Sequence, residues 1–262
     1  FTGADKVRPI SVGAVVYRLW GSVRIRQLGD QLAAMLPPGQ AGGAKGSSVY
    51  DVVLNLQCSD PDELPYGVTY DFAKAFDHVE PELATLLLGR AGVPAPVLRV
   101  LRAAWAGQKR WATFGGAVDP VVIEGSRGLP QGDPWSPVGM AVILAPAVRQ
   151  LAADRPLVRQ GVYMDDRTAL APTKGVLEQV TAFWRRFSAV SGIPDNESKT
   201  QRWGRTRPDA LSKGSRASLL RRRCSGWCWP KAVATELGAR LTLRGGRASA
   251  PRRSAWACCR AR

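Results

Sequence analysis

Two adjacent carboxylates, Asp165 and Asp166, interrupt the stretch GVYMDDRTAL (161–170), where an apolar run ends abruptly. Neighbouring acids repel each other, and burying them without a partner is costly. Either the pair sits on a solvated turn, where aspartate is a favoured residue, or a cation resolves the repulsion. A third carboxylate, Asp71, closes the strand-like GVTYDF (67–72). It is too distant in sequence for a local contact but well placed to sit on a neighbouring strand of one sheet. Carboxylates so arranged can bridge two divalent ions about 3.5–4 Å apart, which stabilises the attacking and leaving oxygens around a phosphorus atom. Hard oxygen ligands favour magnesium, usually held by one or two carboxylates plus substrate phosphates. Manganese is the expected substitute. Such chemistry is mostly positioning and electrostatics.

The elements that must do this positioning are legible in the spacing. Residues 14–36 carry Val15, Leu19, Val23, Leu28, Leu32 and Leu36 at roughly helical intervals, and Pro37-Pro38-Gly39 stops them. Residues 81–92 read as a helix opened by Pro81 and closed by Gly92, with a second helix over 95–107. Residues 118–125 read as a strand, and 136–154 as a largely apolar helix bent at Pro146. GVYM and RTALA flank the two acids as the strands of a hairpin, and 174–192 is a helix ended by Gly192. Strand, helices, hairpin and helix in this order predict an α+β class with helices packed on one sheet. Asp77 is expected to cap the helix that follows it. Beyond residue 204 the periodicity collapses. Only 234–246 suggests a hairpin there, and the rest is expected to lack order when alone.

Apolar residues make up 45% and charged residues 22% of the 262, an ordinary globular balance. The net charge of +16 is not ordinary, and predicts attraction to a polyanion such as nucleic acid or an anionic membrane face. It is unevenly spread. Residues 201–262 hold 16 of the 37 Lys and Arg and 2 of the 21 acids, so the body is close to neutral. That tail either clamps nucleic acid, with Trp227, Trp229 and Trp256 as stacking surfaces, or is the decayed end of a mobile element. The five cysteines (Cys58, Cys224, Cys228, Cys258 and Cys259) form no regular disulfide framework. Cys224 and Cys228 lack further zinc ligands, His78 being the lone histidine. No apolar run is expected to approach a membrane span, nothing resembles a signal peptide, and no membrane partner is expected. Beginning at Phe1, the sequence reads as a fragment of something longer.

Six pieces occur in a familiar order: RPIS (8–11), QAGGAKGSS (40–48), DFAKAFD (71–77), GLPQGDPWSP (128–137), YMDD (163–166) and GIPDNESKT (192–200). On them, residues 8–200 resemble a reverse transcriptase, an RNA-directed DNA polymerase, closest in style to non-LTR (LINE-type) retrotransposons. The resemblance implies a right-hand polymerase palm, with a ferredoxin-like sheet and packed helices, plus partial fingers. Residues 1–66 would be the fingers, 67–204 the palm, and 205–262 a basic tail that is a degenerate thumb or disordered. The implied reaction is nucleotidyl transfer to a primer 3′ end with two Mg2+ ions. RNA template, DNA primer and deoxynucleoside triphosphates are the implied partners. Asp71, Asp165 and Asp166 resemble the family's metal-binding aspartates. Phe76 matches the side chain that rejects a 2′-hydroxyl, and Gln131 the residue that braces nucleotide and template. Gly132 would admit close backbone approach, and Met164 joins the substrate-binding set. Arg8, with Lys6 as a second candidate, resembles the triphosphate grip, and Lys199 the lysine that protonates departing pyrophosphate.

The sequence also departs from the family. Met164 stands where LINE-type enzymes more often have Ala, and Trp135 replaces a smaller apolar residue. Gly43 stands in place of Phe, and Pro194-Asp195 interrupts an apolar approach; these two are expected to loosen the fingers and the nucleotide pocket. Leu237-Gly238 could be a remnant of the primer grip. A catalytically inactive nucleic-acid-binding remnant, and a group II intron or retron-type enzyme, remain alternatives. The expected location is intracellular, and nuclear for a LINE-type element.

Overall fold

The computed structural model describes residues 10–125 and 127–204. The expectations for Lys6, Arg8, the hairpin at 234–246, Leu237-Gly238 and the tail tryptophans and cysteines lie outside the described residues. The single helix expected over 14–36 is two, α1 (Val15–Gln27) and α2 (Gly29–Ala34), broken at Leu28. A two-residue strand β1 (Gln40–Ala41) follows, then α3 (Val49–Gln57). A capping box opens α3: Ser48 Oγ accepts from the Tyr50 amide, and Asp51 Oδ2 accepts from the Ser48 amide at 2.7 Å. Next come β2 (Tyr66–Tyr70), the single turn α4 (Ala75–His78), α5 (Pro81–Arg90) and α6 (Ala95–Trp105). Glu80 occupies the N-cap of α5, so Asp77 does not cap that helix as the sequence suggested. β3 (Gln108–Phe114) and β4 (Ala117–Gly125) form a hairpin that pairs only with itself, turning at Gly115-Gly116.

Helix α7 (Ser136–Asp154) has the predicted bounds and passes through Pro146 at a solvent-exposed position. Contrary to expectation, its length and composition would suffice to cross a membrane, but 67% of its most apolar 18-residue stretch is buried against the rest of the fold. It is the core helix, contributing Met140, Leu144, Val148 and Leu151. Then β5 (Arg159–Tyr163) and β6 (Asp166–Ala171) form the hairpin around Met164-Asp165. Helix α8 (Lys174–Ser191) is capped by the Thr173 hydroxyl and ends at Gly192, φ 68°. A 3-10 turn (Glu197–Lys199) leads into β7 (Gln201–Gly204).

The main sheet runs β1-β5-β6-β2-β7, antiparallel except for the parallel β1–β5 pair. Its register decides what faces where, because side chains alternate between faces and paired residues share one. Tyr70 pairs with Arg167, and Arg167 with Val162; Val68, Ala169 and Gln160 form the next row. This is the core face. It packs on α7 and α8, with the Tyr70 and Thr181 hydroxyls 2.9 Å apart and Gln160 donating to the Val148 carbonyl. One residue further along, Asp166 on β6 and Asp71 beyond the end of β2 fall on the opposite, open face. Two of the three singled-out carboxylates are thereby placed side by side by sheet parity.

Candidate functional site

Asp71 and Asp166 line one cleft of about 400 Å3, together with Thr69, Tyr70, Ser198, Lys199 and Gln201. Asp71 follows the last residue of β2, and Asp166 begins β6, each one step beyond the Tyr70–Arg167 pair. Asp165 occupies the hairpin turn with Met164, whose backbone is left-handed at φ 54°. A two-residue turn with positive φ matches the twist of the flanking strands, and Met164 carries that strain in place of glycine. Burial raises the Asp166 carboxyl above its ordinary range, and the charges of Asp165 and then Asp71 raise it further; Lys199 and Arg167 pull it down. The repulsion inferred from the sequence is present.

The segment after α8 brings the countercharge. Phe72 and Asp195 form an isolated β-bridge, the Ala73 amide donates to the Pro194 carbonyl, and the Asn196 amide donates to the Asp71 carbonyl at 2.8 Å. The 3-10 turn then carries Lys199 back over the sheet end, with Nζ 2.5 Å from Asp71 Oδ2. Lys199 is largely exposed and Asp71 largely covered, so this charge-assisted contact sits at the boundary with water.

Asp195 is not the loosening expected of it. Its Oδ1 accepts from Arg167 Nη2 at 2.7 Å, and Arg167 is only 1% exposed. The guanidinium carbon lies 3.4 Å from the Phe72 ring centroid, 4.8 Å from Trp184 and 5.4 Å from Tyr70. Burial lowers the Arg167 pKa, and Asp195 acts against that shift. Sequence reading singled out neither this arginine nor its partnership. A period-2 count over DRTALA places Arg167 with Ala169 and Ala171, which was a usable signal.

Among the described residues, Phe76, Gln131 and Gly132 do not line this cleft. Phe76 lies on α4, partly buried against the core, and its carbonyl accepts from the Leu129 amide at 2.7 Å. Gln131 Nε2 reaches Asp77 Oδ1 at 3.4 Å, which is where Asp77 finds its contact. Gly132 has φ 113°, and a Cβ there would lie 2.6 Å from the Ser11 carbonyl oxygen. Its freedom therefore lets the Ile10-Ser11 chain lie against the turn, where the Ser11 amide donates to Gln131 O at 2.7 Å. Asp133 locks the same turn from inside, accepting from Trp105 Nε1 at 2.5 Å and from the Tyr17 hydroxyl. Burial, and then Asp133, raise the Tyr17 pKa far above its ordinary value. Gly43, at φ 75°, passes so near the Pro137 carbonyl that a Cβ would lie 2.7 Å from it. The phenylalanine usual in the resembled family could not stand at this backbone position. Trp135 is fully buried.

Among the described residues no three His, Cys, Asp or Glu side chains converge as a ready-made metal cage. Magnesium does not require one, since one or two carboxylates with substrate phosphates suffice. Asp71 and Asp166 supply hard oxygen donors on one wall, they repel each other, and an ammonium is already drawn onto Asp71. This donor set fits a divalent cation.

The family model described as reverse transcriptase (RNA-dependent DNA polymerase) matches residues 2–212. No curated protein sequence matches the chain. Among solved structures, the fold is similar to telomerase of Candida tropicalis in complex with the TWJ fragment of telomeric RNA. That match has a TM-score of 0.57 and 13% identity over 76% of this chain and 35% of that one. It is also similar to the apo telomerase of the same organism truncated from its C-terminal domain. There the TM-score is 0.55 and the identity 13%, over 74% of this chain and 42% of that one. At such identity the likeness is one of fold, and the chain spans less than half the length of either telomerase.

Proposed function

As this chain belongs to the reverse transcriptase (RNA-dependent DNA polymerase) family, we propose that it copies an RNA template into DNA, joining a deoxynucleotide to a primer 3′ end and releasing pyrophosphate. The observation that carries this reading is the meeting of Asp71, Asp166 and Lys199 at one cleft, beside the turn that holds Asp165. Asp71, Asp165 and Asp166 would hold two Mg2+ ions, with Mn2+ able to substitute. Bound there, the ions supply Lewis-acid stabilisation of the oxygens around the attacked phosphorus.

The chain's own groups do the rest. In this reading Lys199, held beside Asp71, donates a proton to departing pyrophosphate. Phe76 stands under the sugar and excludes a 2′-hydroxyl. Gln131, on a turn fixed from beneath by Asp133, braces nucleotide and template. Gly132 and Met164 complete the substrate surface, and Arg8, with Lys6 as second candidate, grips the triphosphate. The basic residues of 205–262 meet template phosphates. The order of the six motifs supports a retroelement origin of non-LTR style.

Primer extension on poly(A)/oligo(dT) with Mg2+ tests the assignment. Asp165→Asn should lower incorporation by about 1,000-fold or more, while circular dichroism and RNA binding stay as in the parent. Extension unchanged by Asp165→Asn refutes the assignment, and a parent chain that binds RNA without extending a primer is a non-catalytic binder. Phe76→Ala should raise ribonucleotide over deoxynucleotide incorporation by about 10-fold or more, as loss of a steric block predicts. Unaltered discrimination puts the gate at another residue.

A further inference from the structure

A buried guanidinium needs a reason. Arg167 spends one nitrogen on Asp195, and its Nε and Nη1 find no hydrogen-bond partner among the described residues. Three aromatic rings, Phe72, Trp184 and Tyr70, surround it instead. Cation–π attraction offsets part of the lost hydration. Even so, exchanging a buried ion pair for apolar residues of similar volume is often neutral or stabilising. Stability alone does not account for the pair.

Its position does. Arg167 follows Asp166 on β6, and Asp195 precedes Lys199 by one turn of chain. The seam between Asp71–Ala73 and Pro194–Asn196 has backbone rungs from Ala73 to Pro194 and from Asn196 to Asp71. The Arg167–Asp195 contact crosses beneath that seam, from the core side. We propose that Arg167 and Asp195 are a positioning pair: anchored in the aromatic cage, they hold the 193–200 segment in register so that the Lys199 ammonium reaches Asp71. The inference rests on reading Asp71 and Lys199 as parts of a polymerase site, and it adds two residues that act through them.

The test replaces the pair by apolar residues, Arg167→Met with Asp195→Leu, in the full chain. Hydrogen exchange of the Ala73 and Asn196 amides should accelerate about 10-fold or more, while the amides of the β5–β6 hairpin keep their rates. Single-nucleotide incorporation should fall about 10-fold in kcat with KM for the nucleotide unchanged. Lys199→Ala should cost about 10-fold in the parent and less than about 2-fold in the pair variant, the non-additivity of groups acting as one unit. Unchanged exchange at Ala73 and Asn196, or an equal cost of Lys199→Ala in both backgrounds, overturns the proposal. Should the parent not extend primers, the polymerase reading fails, and the exchange rates judge the pair by themselves. Should the double variant not fold, Arg167→Met alone takes the same two measurements, because Asp195, 14% exposed, can then turn to water.

Discussion

Asp166 and Arg167 are consecutive, and β6 treats them in opposite ways. Asp166 points to the open face beside Asp71, where like charges crowd and a largely exposed lysine is the nearest remedy. Arg167 points to the core face, where its charge is answered by Asp195 and three rings, sealed from water. The open face keeps an electrostatic conflict unresolved. The core face resolves one at the expense of hydration. On the open face the acids share one lysine, whereas on the core face Asp195 and three rings meet the guanidinium's charge although its Nε and Nη1 stay unpaired; sheet alternation lets one strand do both.

The core side should break hardest. Asp195→Leu alone strands a buried charge, and urea unfolding should show a loss of about 3–5 kcal/mol. Arg167→Met should cost less, because Asp195 retains access to solvent. Equal losses would mean that the two ends of the pair are not as differently sealed as their exposures indicate. The open side should respond weakly and with the other sign. Folded Asp166 holds its proton to a higher pH than the unfolded chain, whose ordinary value is 3.8. The folded state thus binds more protons in the window just above that value, and stability falls as pH rises through it. Asp166→Asn should flatten this slope and raise the urea midpoint slightly at neutral pH, with no gain below the ordinary carboxylate range. A variant less stable at neutral pH would show that Asp166 is not under repulsion.

Much of this was legible before any coordinates. Helix α7 fell on its predicted bounds because a long apolar run between Pro-rich turns admits few readings. The β5–β6 hairpin was legible from the strand-like runs flanking two acids, though its turn is Met164-Asp165, one residue earlier than the expected Asp165-Asp166. Part of what escaped notice depends on partners far along the chain, although α3, opened by its own local capping box, was missed as well. β1 and β7 are two and four residues long and exist through their pairing with β5 and β2. β3 has no buried residue to betray it, since its hairpin covers no core. Asp195 looked like a disruption because its partner lies across the seam, on another strand. Gly43 looked like a lost ring until the nearness of Pro137 showed that no side chain fits there. Arg8 and Lys6 lie outside the described residues, and their roles rest on the motif alone.

The β3–β4 hairpin offers something of practical use. Its turn, Gly115-Gly116, has open space on every side where a side chain would project, and its strands lend no hydrogen bonds to the main sheet. Such tips tolerate insertion well. An epitope or fluorophore grafted between those two glycines gives a handle for immobilising or tracking the molecule, with the Asp71–Asp166 cleft and the Arg167–Asp195 pair left as they are.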